Sequence, residues 1–305
     1  MAKCRPDQPE QALPLDKTVL PLRLRNQVIP LDRPRVMGVV NVTPDSFSDG
    51  GQFLNPALAV EQACRMVAQG ADIIDIGGMS SRPGAEEVPV QKELRRVLPV
   101  VEGVVERLDV PVSVDTFRSE VAREALEHGA HMVNDITALS DPAMAALVAE
   151  VGAGLVLMHM QGTPQTMQRD PHYGDVVTDI GRFLSERADR ARAAGVSAEA
   201  IVVDPGIGFG KTVAHNLEIL RRLAEFAGLG YPLLIGASRK SFIGKVLGVP
   251  VEERLLGSLT SVVLARQAGA SLFRVHDVAE TRQALALTDA ITCGRWSSPT
   301  DAPTR

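Results

Sequence analysis

Eight short apolar runs punctuate the chain, at residues 35–40, 72–76, 110–114, 131–134, 155–158, 200–203, 232–236 and 271–275. They are apolar almost throughout, and do not alternate, which is the pattern of strands covered on both faces in a parallel sheet. Between them, stretches such as "PALAVEQACRMVAQG" and "SEVAREALEHG" place apolar residues at helical spacing and close on a glycine suited to end a helix. Repeated strand, loop and helix units in about 250 residues predict a (β/α)8 barrel, with a doubly wound open sheet as the alternative. Ahead of the first run, "LPLRLRNQVIPL" alternates and predicts a short hairpin that plugs the N-terminal face of the barrel. The domain is expected to span residues 19–292. Residues 1–18 and 293–305 have little to bury and are expected to be disordered tails.

Barrel enzymes build their sites from the loops at the C-terminal ends of the strands. In this chain every predicted strand delivers polar groups at that end. They are Asn41 and Thr43 after the first, and Ser81 and Arg82 in "GGMSSRPGAEEV" after the second. Asp115 follows the third, and Asn134 and Asp135 end the fourth. His159 comes beside Met158 at the fifth, Asp204 opens "DPGIGFGK" at the sixth, Ser238 to Ser241 follow the seventh, and Arg274 and His276 end the eighth. A single Asp or Asn past a strand is ordinary loop or cap chemistry, and Asp135, Asp277 and Arg239 are read that way. His128, His131 and His172 are read as surface or packing residues. Stability does not explain a whole rim of charge, because caps need no Arg or Lys beside them.

The rim's chemistry narrows the ligand. Arg274, His276 and Lys240, with the amides of Gly-rich loops, suit a phosphate-bearing group. Asp115, Asn134 and Asp204 suit the donor-rich edge of a planar nitrogen heterocycle. The segment "GIGFGKT" is no phosphate loop: the glycine required five residues before Gly210 falls on Pro205, and the third glycine of a dinucleotide motif falls on Lys211.

Composition excludes several classes. A 305-residue chain with 45% hydrophobic and 23% charged residues is globular, not fibrous or disordered. Its net charge of −5 argues against non-specific nucleic-acid binding. With no long apolar window and no signal peptide, a cytoplasmic protein is expected, without a membrane partner. Cys4, Cys64 and Cys293 are too scattered for a disulfide or metal framework.

Eight segments in order carry a resemblance: "MGVVNVTPDSFSDGG", "DIGGMSSRPGA", "SVDT", "VNDI", "LMHMQGTP", "DPGIGFGK", "GASRKSFIG" and "RVHD". Together they resemble the dihydropteroate synthases, over roughly Arg35 to Ala290. That family is a (β/α)8 barrel that joins 4-aminobenzoate to 6-hydroxymethyl-7,8-dihydropterin diphosphate, releases diphosphate, and is the target of sulfonamides. The resemblance implies that Asp115, Asn134, Asp204 and Lys240 hold the pterin, with Ile136, Met158 and Phe209 around its ring. It implies that Asn41, Arg274 and His276 hold diphosphate, with Asn41 also a ligand of Mg²⁺. Ser81, Arg82, Pro83, Lys240 and Ser241 would shape the aminobenzoate pocket, and residues 43–51, from Thr43 on, would form a loop closing over the centre. The implied catalytic set is Asp115, Asp204, Lys240 and Asn41, in a homodimer. The family's second loop commonly reads "GGESTRPG"; here Met79 replaces the acid and Ser81 keeps the hydroxyl of the threonine.

Within that resemblance the chemistry is a dissociative substitution. An aromatic amine is already nucleophilic, so catalysis must chiefly assist the departure of diphosphate. The competing reading is a barrel that binds a pterin or methyltetrahydrofolate without condensing it. Such a barrel could share Asp115, Asn134 and Asp204 but would not need "SRPG" or "SRKSFIG".

Overall fold

The computed structural model of the chain describes residues 21–43, 55–80, 82, 84–85 and 88–294. Both expected tails, but for the few residues that border the domain, lie outside the described residues. So do Ser81, Pro83 and positions 44–54 of the expected closing loop.

Two short strands, β1 (Leu22–Leu24) and β2 (Gln27–Ile29), form the antiparallel hairpin. Eight parallel strands follow: β3 (Arg35–Asn41), β4 (Ile73–Gly77), β5 (Val112–Asp115), β6 (Met132–Asp135), β7 (Gly154–Met158), β8 (Ile201–Asp204), β9 (Leu234–Ile235) and β10 (Leu272–Val275). Their order is β8-β7-β6-β5-β4-β3-β10-β9. The ends of that order meet: Val203 bridges Leu233 in parallel, and the Val203 N–H donates to the Pro232 carbonyl at 3.0 Å. Closure selects the barrel over the open sheet.

Helices cover the outside: α1 (Pro56–Ala68), α2 (Val90–Arg107), α3 (Ser119–Glu127), α4 (Met144–Val151), α5 (Val176–Ala193), α6 (Val213–Arg221), α7 (Ala224–Ala227), α8 (Ser241–Leu247), α9 (Leu255–Gln267) and α10 (Val278–Cys293). Alternation along each strand divides its side chains between two cores. Outward residues such as Val36, Ile74, Val114, Leu155 and Phe273 pack against the helices in the larger core. Inward residues at the strand starts, including Met37, Ile73, Met132, Val156, Val202, Leu234 and Leu272, form a second core with Leu22, Leu24 and Ile29 of the hairpin. The hairpin is therefore the expected plug. It is also held by polar contacts, with the Arg25 N–H donating to Gly152 O at 2.8 Å and Arg25 Nη1 donating to Leu126 O at 2.8 Å. Gly154 makes room for it, since a Cβ there would fall on Leu24 Cδ2.

Among the described residues no helix is long and apolar enough to cross a membrane. Cys64 and Cys293 are free thiols.

Leu24 is fully buried in the plug, so Leu24→Ala should lower the unfolding free energy by about 2–5 kcal/mol. Urea denaturation at 25 °C measures this. Because the plug lies at the end of the barrel opposite the rim, kinetic constants of the folded variant should be unchanged.

Candidate functional site

The same alternation that plugs one end of the barrel furnishes the other. Above the apolar layer, the inward positions become Asp75 on β4, Ser113 and Asp115 on β5, Asn134 on β6, Asp204 on β8 and Arg274 on β10. Burying this much charge is favourable only when the charges are paired and hydrogen-bonded. Arg274 supplies the pairing: its Nε donates to Asp75 Oδ2 and its Nη2 to Asp115 Oδ2, both at 2.6 Å. Asn134 Nδ2 donates to the same Asp75 oxygen at 3.1 Å.

Across the mouth, Asp204 is buried and its Oδ1 accepts the Gly206 N–H at 2.7 Å. The loop it opens folds tightly onto the end of β7. Gly206 has a φ of 70°, and a Cβ there would land on the His159 carbonyl, so only glycine fits. Lys211 closes the loop from beneath. Its buried ammonium donates to Phe209 O at 2.8 Å and His159 O at 3.3 Å, and lies 3.0 Å from His159 Nδ1. Phe209 in turn carries the Lys240 ammonium 4.1 Å from its ring centroid, a cation–π contact. Ile136, Met158 and Phe209 form a separate apolar cluster with Met167, with Phe117 and Met160 packed against it. The residues expected to surround a ring are thus brought together.

His276 is joined to Ser238, whose Oγ lies 3.0 Å from Nδ1 and accepts the His276 N–H at 3.2 Å. Asn41 ends β3, half-buried, and Thr43 is half-buried just beyond. Ser241 opens α8 and Arg82 is exposed on the second loop. That loop is tied down at both stems: Arg96 Nη1 donates to Gly78 O at 2.8 Å and Arg118 Nη1 to Val88 O at 2.5 Å. Both arginines flank the fully buried Glu93, which also accepts from Thr116 Oγ1 at 2.8 Å. Asp135 serves its own loop, accepting the N–H groups of Thr137 and Leu139, while Arg239 and Asp277 pair with each other. His128 meets Glu102 on the surface, and His131 and His172 stand outside the mouth.

Burial sets the electrostatics. It raises the Asp115 carboxyl to about 7, with Arg274 opposing and Asp75 reinforcing. It raises Asp204 to about 6, against the Gly206 N–H and Lys240. It lowers Lys240 to about 8 and Lys211 to about 7, in both cases against the attraction of Asp204. His276 falls to about 4 through burial and then the nearby Arg274, so it is neutral at pH 7. Burial also works against the Arg274 charge, but Asp75 and Asp115 more than offset it. No cluster of three or more His, Cys, Asp or Glu among the described residues could hold a metal on its own. Asn41 offers a single hard oxygen, a donor set that fits Mg²⁺, which binds through few protein groups plus phosphate oxygens.

Sequence reasoning missed Asp75, because "DIIDI" reads as strand interior, and missed Lys211, which was weighed only as part of a failed phosphate loop. The signal for Asp75 was an acid at an inward position of a buried strand.

Comparison with known proteins points to one family. The model of the family described as "Pterin binding enzyme" matches residues 37–276. The dihydropteroate synthase of Escherichia coli (strain K12) is 50% identical over 260 residues, covering 85% of this chain and 92% of that protein. The crystal structure of Xanthomonas albilineans dihydropteroate synthase with 4-aminobenzoic acid is similar with a TM-score of 0.84 and 48% identity, covering 89% of this chain and 98% of that one. The Yersinia pestis dihydropteroate synthase in a sulfonamide drug complex is similar with a TM-score of 0.85 and 47% identity, covering 90% and 100%.

The shifted groups make stability depend on pH with a definite sign. Between about pH 4 and 7 the folded chain holds protons on Asp115 and Asp204 that the unfolded chain has released, so their contribution falls as pH rises. Above about pH 7 to 8 the unfolded chain keeps protons on Lys211 and Lys240 that the folded chain loses, so theirs recovers toward pH 10. The fall in stability between pH 4 and 7 should therefore be smaller in Asp115→Asn than in the parent. Urea midpoints across pH 4–8 test the sign.

Proposed function

The chain belongs to the pterin binding enzyme family and condenses 6-hydroxymethyl-7,8-dihydropterin diphosphate with 4-aminobenzoate as a dihydropteroate synthase, and we propose how its rim divides that work. The observation that carries the proposal is the convergence of Asp115, Asn134, Asp204 and Arg274 above the apolar cluster of Ile136, Met158 and Phe209. The carboxylates and amide pair with the N–H edge of the pterin, and the apolar side chains cover its ring. Lys240, which the fields of Asp204 and Asp115 attract, borders the same ring through Phe209. The condensing loops are present in "SRPG" and "SRKSFIG", so the non-condensing barrel is set aside.

Bound together with the diphosphate, Mg²⁺ would neutralise charge on the departing group, and Asn41 is the residue that would hold it. Arg274 and neutral His276 receive the diphosphate from the protein side. The C–O bond to diphosphate breaks first. The amine nitrogen then forms the C–N bond and gives up a proton. Positive charge that develops on the pterin and its methylene is stabilised by Asp115 and Asp204, whose own burial raises the benefit of such a partner. Aminobenzoate lies against Arg82, Ser241 and Lys240, with Ser81 and Pro83, and sulfonamides, flat anilines with an acidic group opposite, occupy the same place. Thr43, at the start of the first loop, and Asn41 link that loop to the diphosphate.

A homodimer in the cytoplasm completes the reading. Its interface is the flank of α6, α8 and α9, where Leu217, Val246, Leu247, Leu256 and Leu264 stand exposed around a groove of about 1530 Å³. Apolar surface on this scale marks an interface. A second copy on this flank leaves the mouth of each barrel open, and the unpaired thiols suit a reducing compartment.

Purified protein should consume aminobenzoate when given the pterin diphosphate and Mg²⁺, and lose that activity in excess chelator. Asp204→Asn removes a buried charge-assisted partner worth roughly 1.5–3 kcal/mol, so kcat/KM for the pterin should fall about 10- to 100-fold. The acid limb of the parent should lie between pH 6 and 7, where Asp204 and Asp115 gain protons. Near-normal turnover in the variant sinks the pocket assignment. Separately, Leu256, 75% exposed, is expected to give a monomer in sedimentation equilibrium as Leu256→Glu, while the parent sediments as a dimer.

A further inference from the structure

We propose that Asp75 is a positioning residue of the pterin site, setting the orientation of both Arg274 and Asn134 while touching no substrate itself. The inference deepens the reading above and rests on Asn134 meeting the pterin ring and Arg274 the diphosphate of the same substrate.

Placement comes first. Gly77, Asp115 and Asn134 are paired in register on adjacent strands, and Asp75 and Ser113 are paired one inward step below them. Asp75 is wholly inaccessible to solvent, beneath the groups that face the mouth. The residue above it on the inward side of β4 is Gly77. A Cβ there would lie in ordinary van der Waals contact with Asp115 Cβ, 3.4 Å away, so Asp115 is the side chain beside that position.

Two contacts follow from that placement. Asp75 Oδ2 accepts Arg274 Nε at 2.6 Å and Asn134 Nδ2 at 3.1 Å. An amide can present either its oxygen or its nitrogen to a ligand. With Nδ2 committed to a carboxylate, which can only accept, the Asn134 oxygen is left as the end that receives an N–H from the heterocycle. Asp75 thereby selects a donor edge on the ligand. Arg274 is divided in a similar way, with Nε on Asp75 and Nη2 on Asp115. A pterin that draws on Asp115 competes with Nη2 for the same carboxylate. Asp75 keeps the guanidinium anchored and charge-paired while that exchange takes place.

A role limited to stability fits the residue poorly. Asp75 Oδ1 has no hydrogen-bond partner among the described residues, and neither has its cross-strand neighbour Ser113 Oγ. Unsatisfied buried oxygens destabilise a fold, so a carboxylate serving the fold alone would be better replaced by an apolar side chain.

Asp75→Asn is the test. It keeps the shape but removes the charge and the acceptor-only character. The expected result is a rise of about tenfold or more in KM for the pterin diphosphate, with KM for aminobenzoate within about twofold of the parent. Combined with Arg274→Gln, Asp75→Asn should add less than it does alone, because one of the two residues it acts through is already gone. Should the Asn variant not fold, Asp75→Glu carries the test: it retains the charge but displaces both partners, and the same split between the two KM values is expected. Equal rises for both substrates, or full additivity with Arg274→Gln, overturns the proposal. Calorimetric titration of 6-hydroxymethylpterin separates the two layers of argument. Failure of the parent protein to bind it sinks the pterin assignment of Asn134, whereas parent-like binding by the Asp75 variants sinks the role of Asp75 alone.

Discussion

One guanidinium shared between two carboxylates governs the mouth of this barrel. Asp75 and Asp115 lie on neighbouring strands, close enough that Asp75 opposes ionisation of Asp115, and Arg274 reaches both across the barrel from β10. Without Arg274, two negative charges would face each other in a space closed off from water below. With it, β4, β5 and β10 are tied at one level, and Asn134 is drawn in from β6. The geometry of the floor of the mouth is thus a by-product of solving a burial problem. The solution remains incomplete, because Asp115, Asp204, Lys211 and Lys240 all keep strongly shifted proton affinities.

The two ends of the barrel follow opposite rules. At the strand starts, inward positions are apolar and capped by the hairpin, so that end contributes stability. At the strand ends, inward positions are charged, and rigidity comes from polar knots placed behind the site. Arg96 and Arg118, which flank Glu93, hold Gly78 O and Val88 O, the two stems of the second loop. Lys211 does the same for the loop after β8 through His159 and Phe209. The contacts proposed for substrate are therefore presented by loops whose stems are fixed.

Much of this was readable from residues alone, for a physical reason. Strands buried on both faces must be apolar runs, so all eight stood out, and polarity at their ends stood out against them. The apolar cluster of Ile136, Met158 and Phe209 came from the family resemblance. Met167, Phe117 and Met160, which complete it, lie in loops where spacing says nothing about direction. Asp75 escaped because a single acid inside "DIIDI" does not break a strand pattern, and whether it points inward depends on register. Lys211 escaped because its partners are mostly backbone carbonyls and a histidine, which no motif encodes. The shortness of β9, two residues against seven in β3, was also hidden, since the apolar run at 232–236 is as long as the others.

The plug has a consequence for how the chain reaches this state. Leu22 and Leu24 leave the ribosome before any barrel strand exists, yet the core they join includes Leu234 and Leu272, close to the other end of the domain. Pairings so distant in sequence carry a large loop-closure entropy and form late. The first hairpin made must therefore wait, with its apolar face uncovered, until nearly all of the domain has been synthesised. A nascent chain of this design carries an adhesive leading end throughout translation, and the last strand to emerge is the one that relieves it.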